Sequence, residues 1–448
     1  MGEGEGNLGE IRGSLPIIRF TLPSIATMLF ISSYSLVDGA FISNFVGSDA
    51  LASINILMPA TSLLSGIGFM FSTGGSAYVA NLMGRGEQKK AEGAFSTIMA
   101  AAIAVSIVFM AAGMAFVGPL ASILGAGEEL HGGAVEYACG FLPFTVFLVT
   151  QFLMTQFLIV AGRPGMSLLL SVAGGAANII LDYVLIAVFG LGLTGAAVAS
   201  GIGSLVPAAA GMAFFLWGRG SLRFGRPSGG LSAVASSCLN GISEMASELS
   251  GGVTVLCYNM VMMSYIGPDG VSAITVMSYV QFLALSVVIG YSNGIAPVMS
   301  YDHGAGHTEG MRDVFRSSVL FVSAFSVAVF VVMELFVAHI AGFFVSGYED
   351  VMDITVRGAR VFSVGFLFIG LNVYFSSLFT SLSNGPVSAL ISLIRSLILL
   401  APLILVLPHL FSIDAVWYAA PMTELLTLFL AAGLVLKLKG RYGYMGRS

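Results

Sequence analysis

The stretch FVGSDALASINI at Phe45–Ile56 returns as YIGPDGVSAITV at Tyr265–Val276. Gly47 matches Gly267, and Asp49 matches Asp269 at the same half-chain offset. The register still holds where GRGEQKKAEGAF, from Gly84, aligns with GAGHTEGMRDVF, from Gly304. Gly84/Gly304, Gly86/Gly306 and Phe95/Phe315 coincide without a gap. The 448 residues are therefore two similar halves, and a half-chain repeat fixes the architecture before any single helix is assigned.

Composition says what solvent the repeat lives in. The chain is 57% hydrophobic and 9% charged, with a mean hydropathy of +0.95, whereas soluble domains carry roughly 25% charged residues. This much apolar surface belongs to a polytopic membrane protein. The net charge of −5 and the lack of a basic cluster argue against nucleic acid as a partner. Cys139, Cys238 and Cys257 are scattered, with neither metal nor disulfide spacing, and read as small buried hydrophobes. The start, MGEGEGNLGE, is an acidic Gly-rich tail rather than a signal peptide.

A helix crosses the hydrocarbon with about 20 apolar residues. Qualifying stretches lie at 16–43, 51–82, 94–118, 134–160, 166–189, 195–217, 241–263, 271–301, 314–345, 354–381, 388–410 and 415–436, six per half. Alternate loops carry the basic residues: Arg85, Lys89 and Lys90; Arg163; Arg219, Arg223 and Arg226 of the linker; Arg312 and Arg316; then Lys437, Lys439, Arg441 and Arg447. The intervening loops carry none, which places both termini in the cytoplasm. Six spans per half is even, so the repeat is parallel, about a pseudo-twofold axis along the membrane normal. The expected fold is all-α, with twelve transmembrane helices in two six-helix lobes: an N-lobe at 1–217, a cytoplasmic linker at 218–232 and a C-lobe at 233–448.

Charges inside spans are costly and mark function by default. They include Asp38, Glu136, Asp182, Glu244, Glu248, Glu334, Arg357, Arg360, Arg395 and Glu424. Asp182 lies deep in the fifth span, and Asn178, four residues earlier, shares its helical face. An amide one turn from a carboxylate suits a proton or a cation. Glu244 and Glu248 are also one turn apart and can attract an organic cation or share a proton, or Glu244 can simply lie near cytoplasmic water. Arg395 reads as the partner of Glu248 or Glu424 across the lobe, Arg357 and Arg360 as snorkelling side chains, and His303 and His307 as solvated loop residues. Pro23, Pro59, Pro143, Pro297 and Pro421 fall within spans, where they can kink helices.

SLVDGAFISNFVGSDALASINI, GRGEQKKAEGAF, QFLIVAGRPG at 156–165 and NIILDYVLIAVFGLGLTGAAVAS at 178–200 give the chain its resemblance to the multidrug and toxic compound extrusion (MATE) family, in its prokaryotic MepA-like branch. The resemblance covers nearly the whole chain. It implies an N-lobe cation site at Asp38, Asn178, Asp182 and Ser200, the last a hydroxyl in place of a threonine, with Tyr137 close by. In the C-lobe, Glu248 matches one carboxylate of some relatives, but Asn372 stands where an aspartate is expected, which favours coupling through the N-lobe.

The resulting expectation is a secondary active efflux transporter, not an enzyme. It exports hydrophobic or cationic small molecules by antiport with H+ or Na+, through alternating access of the two lobes. Na+ would be held at Asp38, Asn178 and Asp182, whose oxygens suit a hard cation. Tyr137, Glu248, Asn372 and Arg395 are expected at the cavity or at a second charge site. No cofactor is expected, and the setting is a monomer in the lipid bilayer of a prokaryotic plasma membrane. A flippase for lipid-linked oligosaccharides or lipids is the alternative. No P-loop, metal motif or nucleophile elbow supports a pump or an enzyme.

Overall fold

Each half of the repeat folds into six helices whose ends keep the offset seen in the sequence. The structure is a computed structural model that describes residues 8–218, 220–344 and 349–445. Of the expectations above, residues 1–7 of the acidic tail, Arg219 of the linker, positions 345–348 and Arg447 lie outside the described residues. The first half contains α1 (Ser14–Phe45), α2 (Ser48–Gly84), α3 (Gln88–Ala115), α4 (Glu128–Val160), α5 (Pro164–Val188) and α6 (Gly192–Leu216). The second contains α7 (Gly230–Tyr265), α8 (Pro268–Ala305), α9 (Thr308–Phe344), α10 (Glu349–Ser363 and Phe366–Ser381), α11 (Gly385–Leu410) and α12 (Ile413–Tyr442).

Ten of these helices are long and apolar enough to cross a membrane, and α10 is an eleventh, bent by 51° at its break. The twelfth, α7, has the length, at 36 residues. It carries Asn240, Glu244, Glu248 and many Ser and Gly, so composition alone does not mark it as a span. Its polar face is accommodated by packing on α2 and α11.

The opening motif now has a physical cause. Gly47 and Gly267 cap the turns that lead into α2 and α8 with φ of 119° and 93°, a region open to Gly and strained for other residues. Asp49 and Asp269 follow in the first helical turn, where the N-terminal dipole favours negative charge.

The lobes meet in a twofold-related way: α1 packs on α8 as α7 packs on α2. Gly84 and Gly304 show why small residues recur there. A Cβ on Gly84 would collide with the carbonyl of Tyr301, and one on Gly304 would collide with that of Asn81. Asn81 and Tyr301 are themselves repeat equivalents, at the offset that separates Gly84 from Gly304. One contact is thus made twice, by each half on the other. Asn81 Nδ2 donates to Ser300 O at 3.4 Å, and Ser237 Oγ to Phe71 O at 3.4 Å, along the same seam.

Residues before α1 strengthen this end. Leu8 and Ile11 are buried among C-lobe side chains such as Met299, Phe315 and Tyr444. Arg12 pairs with the fully buried Asp302 through both guanidinium nitrogens, one of them at 2.8 Å. These bonds favour the charged guanidinium and move Arg12 up from its ordinary value. His307 lies 3.5 Å from the same guanidinium, and His303 packs edge-on to Tyr442, so neither is simply a solvated loop residue. Toward the opposite end the lobes present exposed apolar groups, among them Val37, Met58 and Met260. Cys139 is exposed on α4, against the expectation of burial, while Cys257 is buried.

Candidate functional site

Three N-lobe helices converge on a cluster of oxygen-bearing side chains. Asp38 comes from α1, Asn178 and Asp182 from α5, and Ser200 from α6. Asp182 is fully buried and Asn178 nearly so. The carboxyl groups of Asp38 and Asp182 lie against each other, and Asp38 also meets Asn178. Asn178 Nδ2 approaches Ser200 Oγ at 3.5 Å. Tyr137 of α4 is buried beside Ser200 and within the field of both aspartates. The five residues expected in the N-lobe are therefore together. Tyr34, one turn before Asp38 on α1, joins them; its i, i+4 spacing to Asp38 is the signal the sequence offers for it.

The cluster is unusual because its carboxyl and carboxamide oxygens lack donors although hydroxyls and an amide stand close by. Among the described residues, Asp38 Oδ1, Asn178 Oδ1 and both carboxylate oxygens of Asp182 are buried without a hydrogen-bond partner. Buried polar atoms are nearly always satisfied, and an unmet acceptor is costly. Two touching carboxylates need a proton or a cation between them. The backbone marks the place too, because α5 widens into a π-helical segment at Tyr183–Val188, directly after Asp182. Such segments concentrate at functional sites. Among the described residues no group of three or more His, Cys, Asp or Glu could hold a metal ion, so any cation here would meet mixed carboxylate, amide and hydroxyl oxygens.

The C-lobe resolves its charges internally. Of the two partners considered for Arg395, the structure selects Glu424: Arg395 Nε lies 3.5 Å from Glu424 Oε1. Asn372 Nδ2 donates to Glu424 Oε2 at 2.7 Å and to the Glu424 carbonyl at 2.8 Å. Arg395 sits in a π-helical segment of α11, Ile394–Leu400; α5 also has one, but at a different register of the repeat. Tyr258, the repeat equivalent of Asp38, lies beside Glu424 with an unpartnered buried hydroxyl. Glu248 stands apart from this triad; Glu244 is the α7 carboxylate that feels Arg395. Both Glu244 and Glu248 are half-buried, so the reading that leaves Glu244 in cytoplasmic water does not hold. Two further in-span charges have structural partners. Glu136 Oε1 accepts from the backbone N–H and hydroxyl of Thr194, at 3.1 and 2.8 Å, at the start of α6. Glu334 Oε1 accepts from Ser363 at 2.7 Å.

Two six-helix lobes packed about a shared seam, with a buried unsatisfied acceptor cluster in one of them, define a two-lobed membrane transporter. The chain belongs to the MatE family, whose model matches residues 23–184 and 253–406, one segment in each half. It is 22% identical over 433 residues to the multidrug export protein MepA of Staphylococcus aureus (strain MSSA476), covering 95% of this chain and 94% of that one. It is 23% identical over 444 residues to MepA of Staphylococcus haemolyticus (strain JCSC1435), with the same coverage of 95% and 94%. Among solved structures, its fold matches the MATE multidrug transporter DinF-BH in complex with R6G at a TM-score of 0.89 and 21% identity, covering 99% of each chain. It also matches an outward-facing multidrug resistance MATE transporter of the MOP superfamily at 0.87 and 19% identity, covering 98% of this chain and 99% of that one.

Proposed function

We propose that the protein is a secondary active multidrug exporter of the prokaryotic plasma membrane, working as a monomer with both termini in the cytoplasm. Hydrophobic, cationic compounds leave through a cleft between the lobes in exchange for inward H+ or Na+. The coupling ion is taken by Asp38 and Asp182, with Asn178 and Ser200 supplying the amide and hydroxyl and Tyr137 closing the site. The observation that carries this reading is the set of buried acceptor oxygens on Asp38, Asn178 and Asp182 that have no donor among the described residues. A proton or Na+ supplies what they lack. Its arrival draws α1 and α5 together and its departure lets them part, which is the differential interaction a two-state transporter requires. The relatives named as multidrug export proteins support the substrate class. The basic loops and the Gly84/Gly304 contact lie at one end, which supports a state closed toward the cytoplasm and open outward.

The test is efflux of a fluorescent amphiphilic cation from proteoliposomes under an imposed ΔpH and, separately, an imposed Na+ gradient. One gradient should drive export and Asp182→Asn should abolish it. Wild-type rates in Asp182→Asn, or no flux of any cation under either gradient, would refute the reading.

A further inference from the structure

The twofold seam has two grooves at the end that carries the basic loops, and the described residues fill one of them. On the first, residues 8–12 lie across the end of α8. Leu8 and Ile11 are buried there, Gly9 packs on Tyr301, and Arg12 pairs with Asp302. The repeat-equivalent residues, 228–232, do not do the same on the second groove. They follow a linker that runs along α3 instead. Ser228 N donates to Gly93 O at 3.2 Å, Thr97 Oγ1 donates to Ser228 O at 2.9 Å, and Arg223 Nε lies 3.1 Å from Glu92 Oε1.

The second groove is left as a cavity of about 350 Å³ between α2, α7 and the start of α11, lined by Tyr78, Asn81, Arg85, Ser236 and Asn240 among others. Its charge is inverted relative to its twin. At repeat-equivalent positions, Leu82 stands where the filled groove has Asp302, and Arg85 stands where it has Ala305. Glu87, two residues after Arg85, is engaged by Lys90 at 2.7 Å. Gly385 and Pro386 bring the positive end of the α11 dipole to the wall. Asn240 is 6% exposed; its amide donates to Thr380 O at 2.7 Å, but its Oδ1 has no partner. The cavity thus offers a cation and a helix N-terminus for an anion, with Asn240 on its wall. Leu239 lines it and is 60% exposed, an apolar rim at the level of the helix ends.

We infer that this cavity binds the phosphodiester headgroup of an anionic membrane lipid, with the phosphate at Arg85 and the N-terminus of α11 and acyl chain along Leu239. The lipid replaces, on one seam, the strap that residues 8–12 supply on the other. Because α2 belongs to one lobe and α7 and α11 to the other, the site is whole only while the seam is closed. Bound lipid therefore favours that state, independently of which ion couples transport.

Native mass spectrometry of the full chain in detergent, titrated with phosphatidylglycerol, phosphatidylcholine or inorganic phosphate, tests this. Phosphatidylglycerol should form a one-to-one complex about tenfold tighter than phosphatidylcholine, and Arg85→Gln should remove that preference. Lys89→Gln, an equal change of charge one turn away on the surface, should leave it intact. Ser236→Leu fills the cavity without changing charge and should also exclude the lipid. Equal losses in Arg85→Gln and Lys89→Gln would show a diffuse surface field and overturn the site. Displacement of phosphatidylglycerol by comparable concentrations of inorganic phosphate would overturn the lipid assignment, and unimpaired binding in Ser236→Leu would overturn the cavity.

Discussion

Substituting Gly84 by Ala should open the end of the molecule that the seam closes. The added methyl would collide with the Tyr301 carbonyl oxygen and stand 3.0 Å from Ala305 N. Both are helical backbone atoms, so no side-chain rotation relieves the overlap, and α2 and α8 must separate. Overpacking of this kind costs about 1–3 kcal/mol. Ala also favours a helix over Gly by about 0.5–1 kcal/mol, but α2 is helical whether the seam is open or closed, so that gain cancels between the two states. The closed-to-open ratio should therefore fall by about 5- to 150-fold. Gly304→Ala overlaps the Asn81 carbonyl and should act alike. The double variant should cost less than the sum, since one separation relieves both overlaps. The assay is pulsed electron–electron distance measurement between spin labels at Glu87→Cys and Thr308→Cys, with Cys139, Cys238 and Cys257 replaced by Ser. A longer-distance population should appear in both Gly variants. It should be absent in Gly132→Ala, where an added Cβ meets nothing within 4 Å. Folded Gly84→Ala with the parental distance distribution would show that this contact does not set the equilibrium, and the reasoning would be wrong.

Three other substitutions probe the charged groups. Glu424→Gln strands Arg395, whose side chain is 19% exposed, and should cost about 3 kcal/mol in thermal unfolding; Glu424→Leu with Arg395→Met should recover most of that. A double variant as unstable as the single one would deny the pair. Arg12→Gln removes the charged hydrogen bonds to buried Asp302 and should weaken the closed seam by about tenfold, read by the same spin-label distances. An unchanged distribution would mean that the strap is ornamental to the closed state. Asp38→Asn brings an amide donor to acceptors that lack one and should raise thermal stability by about 1 kcal/mol while transport is lost. A fall in stability would show that these oxygens already have donors.

What can be read from the sequence is what repeats or lies locally along a helix. Gly47, Gly267, Gly84 and Gly304 recur because a turn or a crossing of backbones admits nothing larger, so their register locates both lobes and their helix ends. Asn178 and Asp182 share a face by spacing alone. Asp38 and Ser200, from other helices, come only through the resemblance, since no local pattern states which helices touch. The π-helical segments of α5 and α11 are invisible in the sequence because apolar runs do not record one extra residue per turn. The strap at Leu8–Arg12 is hidden for a different reason. Its partner Asp302 lies 290 residues away, and an Arg in a polar tail reads like any solvated charge. The seventh span shows the opposite case. It is read at 241–263 although it carries two carboxylates, and the alternation of loop charges supports it where composition is weak.

The two lobes can be set against each other as a cation site before and after filling. In the N-lobe a carboxylate on α5 has an amide one turn away, a second carboxylate on α1 and no cation. In the C-lobe a carboxylate on α12 has an amide donor in Asn372 and a guanidinium, Arg395, already in contact. Arg395 is tethered to the chain, so no ion gradient supplies or withdraws the cation beside Glu424. Asp38 has a counterpart there in Tyr258, which adds a hydroxyl but no charge. Of the two clusters, the first is the one whose carboxylates have no tethered cation among the described residues. If ions drive the lobes apart and together, the work must begin at α1 and α5. It would then reach the second lobe mechanically, through the α1–α8 and α2–α7 contacts. A cycle of transport that survives Asp38→Asn and Asp182→Asn together, yet stops in Asn372→Leu, would reverse that order.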